Sequence, residues 1–213
     1  MDAGDRALTE RQAARRDRVL KAAIALASTG GYDAVQMRDV AAKARVALGT
    51  LYRYFSSKDH LLVSCLGQWT REFQQRVAVK PPAGDTPADR VVDVLQRASR
   101  ALERSPKLMA AFVTGLTSLS GDDPVGLAEA AEVYGLLHEF VTNAMDGDEV
   151  ANREAVVRVI GEVWLATLIA SVRGWARPGQ MAEDLEAAVR LLVPEEHRAR
   201  RAIARARASL SSS

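Results

Sequence analysis

Met37-Arg38-Asp39-Val40-Ala41-Ala42-Lys43-Ala44-Arg45-Val46-Ala47-Leu48-Gly49-Thr50-Leu51-Tyr52-Arg53-Tyr54-Phe55 holds two short helical patterns and a brief gap. Met37, Val40, Ala41 and Ala44 recur at i, i+3, i+4 and i+7, one face of a helix. Leu51 and Phe55, four apart, anchor a second helix, and the connection around residues 44–47 leaves room only for a turn. Such a pair is a helix-turn-helix, whose second member enters the major groove of DNA.

With Leu51 and Phe55 turned inward, the second helix presents Ala47, Leu48, Gly49, Thr50, Tyr52, Arg53 and Tyr54. Small residues at its start let backbone approach base edges, and Leu48 suits a thymine methyl. Tyr52, Tyr54 and Lys58 offer hydroxyls and an ammonium for phosphates, which position rather than specify. Arg38 and Lys43 on the preceding helix add positive charge.

Outward from this pair the pattern is helix after helix. Leu20, Ala23, Ile24 and Ala27 form a helical face that stops at Gly30-Gly31, a left-handed cap. Residues 59 to about 79 form a long fourth helix ended by Pro81-Pro82 and Gly84. Thr86-Pro87, Ser105-Pro106 and Asp123-Pro124 each set an N-cap residue before a proline at the first helical position. Residues 156–175 are apolar around most of the circumference, and Leu185, Ala188, Val189 and Leu192 mark a final amphipathic helix. No period-2 strand, repeat or phosphate-binding glycine loop interrupts them. The expectation is an all-α chain of about nine helices, with room for a tenth in the tail.

Composition agrees. Of 213 residues, 37 are alanine and only 5% are aromatic, which favours helices over sheets. The net charge of +2 hides an asymmetry. Residues 1–60 carry 11 Lys/Arg against 7 Asp/Glu, residues 61–193 carry 13 against 18, and residues 194–213 carry 5 against 2. A basic front suits a polyanion, and the acidic middle does not. One cysteine, Cys65, excludes an internal disulfide and multi-cysteine zinc sites. The N-terminus lacks the apolar run of a signal peptide, and the longest uncharged stretch, residues 108–121, is too short and polar to span a bilayer. A soluble, cytoplasmic protein that makes no membrane contact is expected, with no cofactor and no metal.

Beyond that, Gly31-Tyr32-Asp33-Ala34, Met37-Arg38-Asp39-Val40-Ala41, Val46 to Phe55, and Ser57-Lys58-Asp59-His60-Leu61-Leu62 resemble the N-terminal signature of the TetR family of transcriptional regulators, contiguously over residues 19–62. The resemblance implies that Ala47, Leu48, Gly49 and Arg53 face bases while Gln36, Arg38, Tyr52, Tyr54 and Lys58 hold the backbone of a palindromic operator bound by a dimer. Arg45 departs from the pattern, since family members often have glycine there; it alters the turn slightly or adds a phosphate contact. A closer resemblance, to the family's sterol-catabolism repressors, runs through residues 30–38, 46–55, 60–64, 159–165 and 187–192. It implies release from DNA by a coenzyme A thioester of a steroid intermediate. Fatty acyl-CoA would suit the same apolar walls.

The resemblance makes residues 1–60 a three-helix DNA-binding head and 61–194 a larger helical ligand-binding and dimerisation body; it fades near Pro194, and residues 195–213 read from their arginines and serines as a basic, partly disordered tail. Expected pocket walls are Trp69, Phe73, Leu108, Phe112, Leu116, Tyr134, Leu137, His138, Val141, Trp164 and Leu168, with Trp175 further along the eighth helix. Val157, Ile160, Leu165, Ile169, Leu185, Val189 and Leu192 exceed what one monomer's core needs and are assigned to a symmetric dimer interface. His60 is expected against solvent or phosphate, and Cys65 as a buried inert thiol. No nucleophile–base pair is defensible, so an enzyme is not expected; His138-Glu139 lacks the second histidine of a metalloprotease. Alternative readings are a TetR-type regulator of efflux or other metabolism and, more distantly, a helical lipid carrier.

Overall fold

The computed structural model describes residues 3–145 and 150–193, with side chains from Glu10 onward. The expected tail helix and the basic segment 195–213 lie outside the described residues. Nine helices and no strand occur among the described residues: α1 (Ala3–Gly30), α2 (Met37–Ala44), α3 (Leu48–Tyr54), α4 (Lys58–Val79), α5 (Pro87–Glu103), α6 (Pro106–Ser118), α7 (Pro124–Ala144), α8 (Arg153–Val172) and α9 (Gln180–Leu192).

The punctuation works as the sequence implies. α1 stops where Gly31 turns left-handed at φ 74°, and α5, α6 and α7 each begin on their proline. Thr86 and Asp89 cap α5 reciprocally: the Asp89 N–H donates to Thr86 Oγ1 (3.1 Å) and the Thr86 N–H to Asp89 Oδ2 (3.2 Å). Asp123 caps α7 by accepting from the Gly126 N–H at 2.9 Å. Ser105 is the exception, because its side chain makes no cap hydrogen bond.

The helices gather into two compact units. The first comprises residues up to Phe73 together with Ala101–Leu136. Its core joins Val19, Leu20, Ala23 and Ala27 of α1 to Met37, Val40, Ala41 and Ala44 of α2. Leu51, Phe55, Leu61 and Leu62 are fully buried beside them, and each such side chain contributes about 1.5–3 kcal/mol by leaving water. Leu108, Met109 and Phe112 bury the inner face of α6, which packs on α1. Lys107 Nζ fastens the start of α6 to the end of α1, donating to the Thr29 carbonyl at 2.7 Å. Where α4 crosses α6 the backbones nearly touch: a Cβ on Gly115 would lie 2.7 Å from Leu62 Cβ.

The second unit comprises Gln74–Arg100 and the described residues from Leu137 onward. Its core sets Val91, Val94, Leu95 and Ala98 of α5 beside Phe140 and Val141, Ile160 and Trp164, and Leu185 and Val189. The Trp164 indole N–H donates to Ser99 Oγ at 3.1 Å, and its ring stacks near Phe140, centroids 6.5 Å apart. Arg90 closes the end of α7 by donating to the Ala144 and Met145 carbonyls at 3.0 and 3.2 Å.

Candidate nucleic-acid interface

α2 and α3 divide their surfaces sharply. All four apolar residues of the α2 stripe are buried, as is Leu51 of α3, with Phe55 fully enclosed just past its end. The opposite faces carry Arg38 and Lys43 on α2 and Gly49, Tyr52 and Arg53 on α3, all exposed; Tyr52 keeps 51% of its surface in water. Ala47 is exposed, whereas Leu48, Thr50 and Tyr54 are partly covered. The surface is therefore cationic, phenolic and small at its leading edge, the chemistry that phosphates and base edges take.

The turn between the helices is built by Arg45. It caps α2 in the left-handed region at φ 54°, ψ 51°, with its N–H turned back to the Ala41 and Ala42 carbonyls. The turn thus keeps the conformation a glycine would adopt, at a cost of roughly 1–2 kcal/mol for an L-residue. Its side chain is exposed. Replacing Arg45 with glycine should raise the thermal unfolding midpoint by a few degrees, about 1 kcal/mol once the greater freedom of the unfolded glycine is subtracted. A lower midpoint in a thermal melt followed by circular dichroism would count against strain at this turn.

Two of the proposed backbone holders are already engaged. Gln36 Nε2 donates to the Asp33 carbonyl at 2.8 Å. Lys58 Nζ donates to the Tyr32 carbonyl at 3.2 Å and lies 3.5 Å from the centre of the Tyr32 ring. The Tyr32 hydroxyl in turn donates to Asp59 at 2.7 Å. Burial and that bond push its phenol up to about 12. The start of α4 is thereby locked to the loop before α2.

His60 corrects an expectation. It is not turned to solvent or phosphate but is buried, with 3% of its surface exposed and its ring edge-on to Phe55 at 5.5 Å. Its Nδ1 accepts from the Ser56 N–H at 3.1 Å, so the ring is neutral with its proton on Nε2. Burial pushes its pKa below the usual histidine value, and nearby Arg16 acts in the same sense; Glu129 and Asp123 oppose them. Cys65 is fully buried, its thiol pushed far up by burial and 3.7 Å from the Leu20 carbonyl, so it is inert as a nucleophile.

The residues assigned to a ligand pocket fall in both units. In the first, Phe73, Leu108 and Phe112 are buried, Trp69 stacks on Phe73 at 5.4 Å, Leu116 is half-buried and Tyr134 is exposed. In the second, Val141 and Trp164 are core, while Leu137, His138 and Leu168 are half-buried. Trp175 does not continue the row, because α8 ends at Val172 and the indole is 75% exposed.

The interface assignment needs a second correction. Val157, Ile160, Leu185 and Val189 are enclosed within their own chain, so they serve the core of the second unit and are not surface. Leu165, Ile169 and Leu192 remain partly exposed. α8 is apolar on both faces; among the described residues it alone is long and apolar enough to cross a membrane, and only 28% of its apolar window is buried within the chain. Its outer face runs from an Arg158–Glu162 ion pair (3.2 Å) to Leu165, Ala166 and Ile169, while α9 leaves Leu191 83% exposed.

Sequence reasoning missed Asp123 as anything more than a helix cap. Ser56 Oγ lies 2.8 and 2.9 Å from its two carboxylate oxygens, and Ser57 Oγ donates to Oδ2 at 2.8 Å. No local pattern announces a bond between residues 66 and 67 positions apart.

Residues 19–65 match the model of the bacterial regulatory proteins of the tetR family, and residues 84–192 match the tetracyclin repressor-like C-terminal domain. The HTH-type transcriptional repressor KstR of Mycolicibacterium smegmatis is 39% identical over 189 residues, covering 88% of this chain and 91% of that protein. KstR of Rhodococcus jostii is 40% identical over 188 residues, covering 88% and 86%. A TetR transcriptional regulator from Rhodococcus sp. RHA1 superposes with a TM-score of 0.78 at 29% identity, covering 87% of this chain and 98% of that one. Thermus thermophilus FadR, a TetR-family repressor solved in complex with lauroyl-CoA, shares the fold with a TM-score of 0.61 at 22% identity over 83% and 92%.

Proposed function

The chain belongs to the TetR family of bacterial transcriptional regulators, and from that premise we propose that it is a repressor which binds a palindromic operator as a homodimer and leaves it when a hydrophobic effector binds. The carrying observation is the two-faced helix pair, its apolar side enclosed and its other side offering Arg38, Lys43, Tyr52 and Arg53. In this reading Ala47, Leu48, Gly49, Thr50 and Arg53 meet base edges, and Gln36, Arg38, Lys43, Tyr52, Tyr54 and Lys58 meet phosphates. Lys58 exchanges its hold on Tyr32 for a phosphate, or keeps both through separate protons. Residues 1–60 read DNA, and residues 61–194 bind effector and dimerise.

For the effector, likeness to KstR repressors supports a lipid: a coenzyme A thioester of a steroid intermediate, with fatty acyl-CoA as the competing class. That a TetR-family relative of the same fold was solved with lauroyl-CoA agrees with this class of ligand. Effector binding acts as a population shift between DNA-competent and incompetent states. The dimer uses the outer face of α8 and α9, which a cytoplasmic protein must cover; the Arg158–Glu162 pair on that face favours a protein partner over lipid.

The experiment begins by selecting bound DNA from a random pool. A palindromic site is expected; Tyr54→Ala should weaken binding to all sequences, and Leu48→Ala should shift the preferred sequence. Steroid-CoA thioester and lauroyl-CoA are then added separately to the operator complex. Release by one identifies the class, and release by neither retires the lipid-thioester idea.

A further inference from the structure

The recognition helix is poorly held by its own residues. α3 has seven residues and buries only Leu51, with Phe55 as a second anchor just beyond. Two anchors four residues apart define a line, and a short helix can rock about it. The third point comes from the residue that precedes α7. Ser56 and Ser57, which join α3 to α4, both bond the Asp123 carboxylate at 2.8 Å. Hydrogen bonds to an ionised acceptor are roughly twice as strong as neutral ones. Asp123 is itself fixed, because it caps α7 through the Gly126 N–H. α7 takes a second grip through Glu129: Arg16 donates to that carboxylate at 3.2 Å and lies 5.5 Å over the Phe55 ring.

We propose that Asp123 is a positioning residue for operator recognition, holding α3 at a fixed tilt on α7 through the hydroxyls of Ser56 and Ser57. This rests on the DNA-reading function proposed above and adds a line of control to it: a movement of α7 tilts the recognition helix directly, without passing along α4. Asp123 offers nothing to DNA, since an acidic group repels phosphates. Its effect is on fit to the operator and not on attraction to the polyanion.

That separation gives the test. Ser56→Ala removes the hydroxyl that bonds Asp123, together with its 2.9 Å approach to His60 Nδ1, while sparing the backbone bond to that nitrogen and the caps of α4 and α7, which depend on Ser57 and Asp123. With the operator selected by the wild-type protein, Ser56→Ala should weaken operator binding about tenfold and leave binding to random duplex unchanged. The slope of log affinity against log salt should also stay unchanged, because no phosphate contact is lost. Asp123→Asn should lose a similar factor, the double variant should be no worse than Asp123→Asn alone, and Ser56→Thr, which restores the hydroxyl, should restore binding. A merely structural bond would lower the unfolding midpoint and leave the operator-to-random ratio alone. The proposal is overturned if Ser56→Ala, folded by circular dichroism, keeps that ratio, or if Ser56→Thr behaves like Ser56→Ala. A wild-type protein that selects no sequence overturns the DNA-reading function instead.

Discussion

Gly49→Leu should leave the protein folded and no less stable, yet weaken operator binding by about a hundredfold. A glycine inside a helix costs up to about 1 kcal/mol relative to alanine, so something must favour it there. Nothing within the described residues does. Gly49 is not among the positive-φ glycines, and a Cβ built on it would meet no atom within 4 Å. Gly115 makes the contrast, since its Cβ would collide with Leu62. The remaining reason is an approach from outside, which the second residue of a recognition helix meets when backbone closes on base edges. Gly49→Ala should show the same signs with a small loss, because a methyl adds little reach. Thermal melts with fluorescence anisotropy on the selected operator separate the two quantities. Leucine tolerated at wild-type affinity would show that the first turn of α3 does not face bases.

The sequence carried the elements well because local chemistry announces them. Prolines at positions 87, 106 and 124 each open a helix, and Gly31 takes the positive φ that closes α1. The inward stripe of α2 is buried in full, because four apolar residues at helical spacing leave no doubt about which side is inside. α8 lacks that contrast. When a helix is apolar around most of its circumference, periodicity cannot say which face meets its own chain, and an interface read from it mixes core residues such as Ile160 with outer ones such as Ile169. His60 differs for another reason: a histidine beside a serine-rich turn looks solvated until the Phe55 ring packs against it and the fold buries it. Its Nδ1 accepts from Ser56, and Ser56 bonds Asp123, a residue 67 positions away that no window includes. Long-range polar bonds are legible only once the packing is known.

On the proposal that the outer face of α8 carries the dimer contact, Leu165→Glu combined with Ile169→Arg should leave the chain monomeric and lower operator affinity by about a thousandfold. Both positions lie on the outer face of α8, partly exposed in the single chain, so the substitutions need not disturb the core built on Ile160 and Trp164. The glutamate four residues ahead of the arginine forms an ion pair on the helix surface. It continues toward the C-terminus the Arg158–Glu162 pair already there. In the monomer the new pair is solvated and close to neutral in energy. Across a two-fold interface each charge would face apolar residues of the other copy, and taking it out of water without a partner costs more than the contact returns. The loss in affinity then follows from linkage alone. A dimer that has docked one head presents the second at high effective concentration, and a monomer must bind each half-site independently. Sedimentation should show one mass at half the wild-type value, and the residual binding should keep a salt dependence about half as steep, since each event releases half the counterions. A variant that stays dimeric would move the interface off this face of α8. A monomer with undiminished operator affinity would mean that a single head reads the whole site.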